Sequence, residues 1–151
     1  MDSVTRVLFV CTGNTCRSPM AEALLKHHTA TVDVQSAGIH AFPGSKAAEH
    51  SAILAKEFGQ SLDDHSAQQL DESLLGWADI VLTMTANHQD AIASIFPNEK
   101  QKVFTLGEFA GEPDANIQDP FGGSLEQYRI AKEQMERLIQ AAKPRLVEGK
   151  S

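Results

Sequence analysis

The chain alternates between short runs that are continuously apolar and longer stretches in which apolar positions recur every three or four residues. The first run, RVLFVC (6–11), is β-branched and aromatic, which predicts a buried strand. Ser18 then reads as a helix N-cap and Pro19 as the first helical residue. Met20, Ala21, Leu24 and Leu25 give that helix its apolar stripe. VDVQS (32–36) predicts a second strand, and the loop AGIHAFPGS follows it. A helix is expected from about Ala47 to Phe58, with Ala47, Leu54 and Phe58 on one side and Gly59 as its stop. DESLLGW predicts a short helix, ADIVLTM a buried strand, TANHQDAIASIF a helix ended by Pro97, and KVFTL (102–106) a fourth strand. Gly107 to Gly123 reads as a polar loop. SLEQ (124–127) is a capping box opening the last helix. Its apolar face runs through Tyr128, Ala131, Met135, Leu138 and Ala142, until Pro144 bends or ends it.

Strands alternating with helices predict an α/β fold. The expectation is one domain, residues 1–151, with a four-stranded parallel sheet covered on both faces by right-handed crossovers. Ligands in such sheets bind beyond the C-terminal ends of the strands. CTGNTCRS (11–18) sits at one of those ends. A chain of 151 residues is long enough to bury a core without staples. The net charge of −7, from 13 basic and 20 acidic residues, argues against nucleic acid or a membrane surface as partner. The N-terminus has no signal-peptide pattern, and no apolar stretch approaches the ~20 residues of a membrane span. Cys11 and Cys16 are the only cysteines, too few for a disulfide framework. Together these features predict a cytoplasmic, monomeric protein with reduced thiols.

A strand, a glycine-containing turn and a helix N-terminus are the parts of an anion cradle, since consecutive N–H groups and the helix dipole converge there. Many such turns bind nothing, but this one also carries Cys11 and Arg17. A guanidinium and a helix N-terminus favour the thiolate of Cys11, which is a nucleophile toward phosphorus. Arg17 offers a two-pronged donor to phosphoryl oxygens. The five residues between them wrap a tetrahedral group. Ser18 either donates its hydroxyl to the Cys11 sulfur or caps the helix. A leaving group also needs an acid. The candidate is Asp119 in DPFGGS (119–124), on a loop after the fourth strand that opens on the same rim, with Phe121 as a pocket wall. The plainer reading of Asp-Pro is a turn.

VCTGNTCRSPMAE and DPFGGS together resemble the low-molecular-weight protein tyrosine phosphatase family, over nearly the whole chain. The resemblance implies a cysteinyl-phosphate mechanism without metal or cofactor, acting on phosphorylated proteins. By it, Cys11 attacks while Arg17 and the amides of Thr12, Gly13, Asn14, Thr15, Cys16 and Ser18 hold the phosphoryl oxygens. Asp119 protonates the leaving group and then activates water. It also implies that Asn14, Ser36 and His65 support the loop. Cys16 resembles the family's second loop cysteine, able to form a disulfide with Cys11. The alternatives are a strand end for Ser36, a surface position for His65 and a packing thiol for Cys16.

Two departures bear on the substrate. Tyrosine-directed members commonly place branched apolar residues where Thr12 and Thr15 stand, and adjacent aromatics after the Asp-Pro, where this chain has Phe121, Gly122 and Gly123. The pattern resembles the bacterial protein-arginine-phosphatase branch, in which the threonine at the position of Thr15 is associated with phosphoarginine selection. A hydroxyl there meets a guanidino group whose donors an isoleucine leaves unpaired; the plainer reading is a hydroxyl bonding its own backbone. Three rivals remain: a tyrosine phosphatase of the same fold, an arsenate reductase and a non-catalytic redox or phosphate sensor. The reductase needs cysteines beyond Cys16 that the chain lacks, and a sensor has no use for Asp119. The six histidines show no metal-ligand spacing.

Overall fold

In a computed structural model of the chain, which describes residues 4–148, four parallel strands form one sheet in the order β2-β1-β3-β4. The strands are β1 (Thr5–Cys11), β2 (Val32–Gly38), β3 (Ile80–Thr83) and β4 (Val103–Thr105). Register runs from Thr5↔Val32 to Cys11↔Gly38 on one side of β1, and from Val7↔Ile80 to Val10↔Thr83 on the other. The pleat sends alternate side chains of β1 to opposite faces. Val7, Phe9 and Cys11 join the core formed with α1 (Arg17–His28) and α6 (Leu125–Glu148). Leu8 and Val10 join Leu75 of α3 (Glu72–Trp77) and Ile92 of α4 (Ala86–Ile95) on the other face. Both faces of β1 are therefore dry, which is why RVLFVC is apolar at every inner position rather than alternating. No helix among the described residues is long and apolar enough to cross a membrane.

The chain leaves β1 for β2 on one side and later returns to β3 on the other. The C-terminal end of β1 is thus the point where the strand order reverses, where a crevice opens in sheets of this kind. The loop of residues 11–18 lies at that point.

Several expectations change. The helix after β1 begins at Arg17, one residue before the expected cap, and Cys16 precedes it without a side-chain cap bond. Ser18 is not free to cap, because its hydroxyl is engaged by Cys11 and Asn14. Residues 107–123 are not a bare polar loop. A short helix, α5 (Leu106–Phe109), opens them on a Thr105–Glu108 capping box, and Phe109 and Ile117 are buried. Pro144 does not end α6, which runs to Glu148. Pro97 opens a 3₁₀ turn (Pro97–Lys102) that the apolar pattern did not announce. The helix expected over 47–58 spans Glu49–Glu57 (α2), and Gly59, at φ +82°, adopts the left-handed conformation that stops it. The Ser124–Gln127 capping box forms as expected, with reciprocal bonds of 2.9 and 3.2 Å.

Candidate active site

The loop after β1 is pinned from behind by its carbonyl groups. The oxygens of Cys11 and Thr12 accept from the Ile39 and His40 amides at 3.0 and 2.9 Å, and that of Thr15 from the Ala48 amide at 2.8 Å. The Cys16 oxygen accepts from Ser51 Oγ at 3.1 Å, and the Asn14 oxygen from His65 Nε2 at 2.7 Å. A carbonyl has no proton, so His65 Nε2 carries one. In a trans peptide the N–H points opposite to the C=O. Carbonyls drawn outward turn the amides that follow them inward; the Asn14 amide, between them, points at Cys11 Sγ, 3.3 Å away. The result is a concave row of donors above a buried sulfur, the geometry an oxyanion requires.

Asn14 holds the bend. Its φ of +57° makes it the one non-glycine residue with positive φ among those described, and its buried side chain uses its whole amide. Nδ2 donates to Ser18 Oγ at 2.8 Å and to Ser36 Oγ at 2.9 Å, while Oδ1 accepts from the Gln68 amide at 2.9 Å. Ser36 passes its own proton to Glu22 Oε1 at 2.7 Å. Ser18 Oγ, accepting from Asn14, lies 2.9 Å from Cys11 Sγ and 3.5 Å from the Ala37 carbonyl oxygen. The sequence-predicted set of Asn14, Ser18, Ser36 and His65 converges on the loop. Gln68 and Glu22, absent from that set, complete its hydrogen bonding.

Cys11, Thr12, Gly13, Thr15, Cys16, Arg17, Asp119 and Phe121 line one pocket of about 220 Å³. Arg17 is only 4% exposed; Nη1 donates to the Ile117 carbonyl at 2.9 Å, and Nη2 stands 3.6 Å from Asp119 Oδ2. The guanidinium is thus anchored on one side, with its remaining donors available to the pocket. Asp119 itself makes the turn that the plainer reading assigned to it, its Oδ1 accepting from the Phe121 amide at 3.0 Å. The turn residue and the candidate acid are the same: one oxygen is fixed and the other faces Arg17. Phe121 lines the pocket and is 77% exposed.

Cys11 and Cys16 are both free thiols. Burial pushes the Cys16 thiol up, and its sulfur lies 3.3 Å from Tyr128 Oη. Tyr128, read from the sequence as part of an apolar stripe, has its hydroxyl pushed up as well, by burial and then by that contact. His88 is a further site residue that the sequence pattern does not mark. Its Nε2 is 2.9 Å from Thr12 Oγ1 and its Nδ1 3.1 Å from Thr85 Oγ1. Burial and the Arg17 guanidinium bring its pKa down to about 4, against an opposing pull from Asp119. The signal that finds it is topological. Residues just beyond β3 reach the same rim as Cys11, and Thr85 caps α4 so that His88 falls in its first turn.

Residues 6–149 match the family model described as low molecular weight phosphotyrosine protein phosphatase. The protein-arginine-phosphatase of Geobacillus stearothermophilus is 48% identical over 135 residues, 89% of this chain and 90% of that protein. That of Bacillus subtilis (strain 168) is 43% identical, over 88% of this chain and 91% of its own. The solved structure of YwlE arginine phosphatase from Geobacillus stearothermophilus superposes with a TM-score of 0.89 at 43% identity, covering 97% of this chain and 98% of that one. With its loop, pocket and sheet order in place, this chain belongs to the low molecular weight phosphotyrosine protein phosphatase family.

Proposed function

We propose that this chain hydrolyses phosphoarginine in proteins through a cysteinyl-phosphate intermediate. The observation that carries the substrate is the pocket lining. Thr12, Thr15 and Asp119 share one cavity with Cys11, Arg17 and Phe121, so the walls around the sulfur include two threonines and a carboxylate. A guanidino group is planar and rich in donors, and such walls accept from it. Relatives 43–48% identical that bear the name protein-arginine-phosphatase support the same substrate.

The chemistry runs in two displacements. The Cys11 thiolate attacks phosphorus, the P–N bond breaks, and Asp119 in its acid form gives its proton to the leaving nitrogen. The loop amides and Arg17 hold the three phosphoryl oxygens as charge redistributes. Water then attacks phosphorus, Asp119 takes its proton, the S–P bond breaks and inorganic phosphate leaves. The Ser18 hydroxyl, 2.9 Å from the sulfur, steadies the thiolate that departs. Asn14, Ser36 and His65 keep the loop in shape, and Cys16, which lines the same pocket, is in this reading the partner of Cys11 under oxidation. Protein substrates, a monomeric state and a cytoplasmic setting complete the reading.

Turnover of phosphoarginine and phosphotyrosine peptides by wild type and Thr15→Ile tests it. Wild type is expected to favour phosphoarginine, and Thr15→Ile to move the ratio of kcat/KM toward phosphotyrosine by about tenfold or more. A wild-type preference for phosphotyrosine, or an unchanged ratio, defeats the substrate assignment. Full turnover by Cys11→Ser defeats the mechanism.

A further inference from the structure

Thr12 belongs to two cavities. It lines the catalytic pocket, and together with Arg17 it also lines a neighbouring groove of about 360 Å³. Thr85, Asn87 and His88 form part of that groove, all from the cap and first turn of α4. The His88 ring bridges the two elements, one nitrogen on Thr12 Oγ1 and the other on Thr85 Oγ1. We propose that His88 is a positioning residue for the reaction, fixing the Thr12 hydroxyl on the wall shared by the catalytic pocket and the groove. This inference rests on the phosphatase reading above.

The contacts accommodate the proton assignment that this role needs. Thr85 Oγ1 accepts the His88 backbone N–H at 3.3 Å as the helix cap. The buried ring is neutral at physiological pH, its pKa held near 4. In the proposed tautomer Thr85 supplies its hydroxyl proton to Nδ1, and the ring proton sits on Nε2 and goes to Thr12 Oγ1. Thr12 keeps its own proton for the cavity it faces. Without His88, that hydroxyl rotates among its staggered positions. With it, a donor stands ready where phosphoryl charge redistributes, at no cost of reorganisation. A ring that served only to finish the N-terminus of α4 has no need of its Nε2 contact, which reaches across 76 residues of sequence to the loop.

The two amide substitutions separate these roles. His88→Asn carries its amide where Nδ1 stands and keeps a partner for Thr85, but leaves nothing for Thr12. His88→Gln carries its amide where Nε2 stands and restores that partner. The experiment measures kcat/KM on a phosphoarginine peptide and on p-nitrophenyl phosphate for wild type, His88→Asn, His88→Gln, Thr12→Val and the double variant Thr12→Val/His88→Asn. On both substrates, His88→Asn and Thr12→Val are each expected to lose about tenfold, the value of one well-aimed hydrogen bond. His88→Gln recovers most of that loss, and in the Thr12→Val background His88→Asn costs nothing more. Equal losses from His88→Asn in both backgrounds overturn the proposal, as does a His88→Gln variant no better than His88→Asn. Thr12→Val leaves the Thr85 contacts of His88 and the helix cap in place, so full activity in that variant overturns it whatever the His88 variants do. Wild type inert on both substrates strikes the phosphatase reading instead.

Discussion

Asn14 shows why one residue type stands at the bend of the loop. Its left-handed backbone favours glycine or asparagine, and only asparagine also supplies two donors and an acceptor. Asn14→Ala loses both, leaving Ser18, Ser36 and the Gln68 amide short of partners in a buried place. Its expected cost is roughly 3–5 kcal/mol, of which roughly 1 belongs to the backbone and the rest to the abandoned hydrogen bonds. Asn14→Gly relieves only the first part. Urea denaturation should therefore rank wild type well above Gly and Gly slightly above Ala, with turnover down at least a hundredfold in both. Complete rescue by glycine would mean that the side-chain bonds hold nothing. At this scale the sequence was legible where residues are adjacent and opaque where they are not. Cys11, Arg17 and Ser18 declare themselves by spacing. Asn14, Ser36 and His65 were readable only through a resemblance. His88, Gln68 and the Tyr128 hydroxyl left no local pattern, because their partners are 76, 54 and 112 residues away.

The elements were legible wherever burial writes a continuous apolar run, as in β1 and β3, or a capping box, as at Ser124. They misled where tertiary contacts outvoted a local rule. Pro144 removes one helix bond, yet Ala142 and Leu146 are fully buried on either side of it. Arg145 grips the Phe109 carbonyl at 2.9 Å while its guanidinium lies 3.9 Å from that ring's centroid. The packing carries α6 through the proline. At the other end of the scale of tolerance is the last residue of β2. A Cβ on Gly38 would stand 2.5 Å from the Thr12 carbonyl oxygen, 2.9 Å from the Asn14 nitrogen and 3.0 Å from the Gly13 carbonyl carbon. All three are backbone atoms of the phosphate loop, and none is the end of a side chain that swings aside. The closeness of β2 to the loop is thus part of how the sheet shapes the site. Gly38→Ala is expected to push the loop off its place, at about 1–3 kcal/mol in stability. The effect on turnover is larger, a hundredfold or more, since small displacements of catalytic groups weigh heavily. Thermal melts and kcat measured side by side decide it; a variant with near wild-type kcat would show that the loop position has slack.

For the molecule as a whole, the groups that make the site also set how folding responds to acid. His88 is protonated with a pKa of about 4 in the folded protein, against 6.5 for an unperturbed imidazole. Burial is the main cause; the Arg17 guanidinium adds to it, and Asp119 pulls the other way. Between those two values the unfolded chain binds a proton at this position that the folded chain refuses. Stability therefore falls as pH drops from 6.5 toward 4, and above 6.5 the ring makes no contribution to the slope. A tenfold difference in proton affinity between the folded and unfolded chain is worth about 1.4 kcal/mol, so His88 withdraws on the order of 2–3 kcal/mol over the window. Carboxylates held low by their partners, Glu57 beside Arg129 and Glu136 beside Lys132 and His28, add losses of their own only toward the bottom of that range. His88→Gln cannot take the proton. Melting temperatures of the two proteins recorded from pH 7.5 to pH 4.5 should keep a constant offset above 6.5 and converge below it, as wild type loses stability that the variant does not. Parallel curves throughout would mean that the imidazole stays near its ordinary pKa, and that the ring beside Thr12 is not held in its neutral form by the fold.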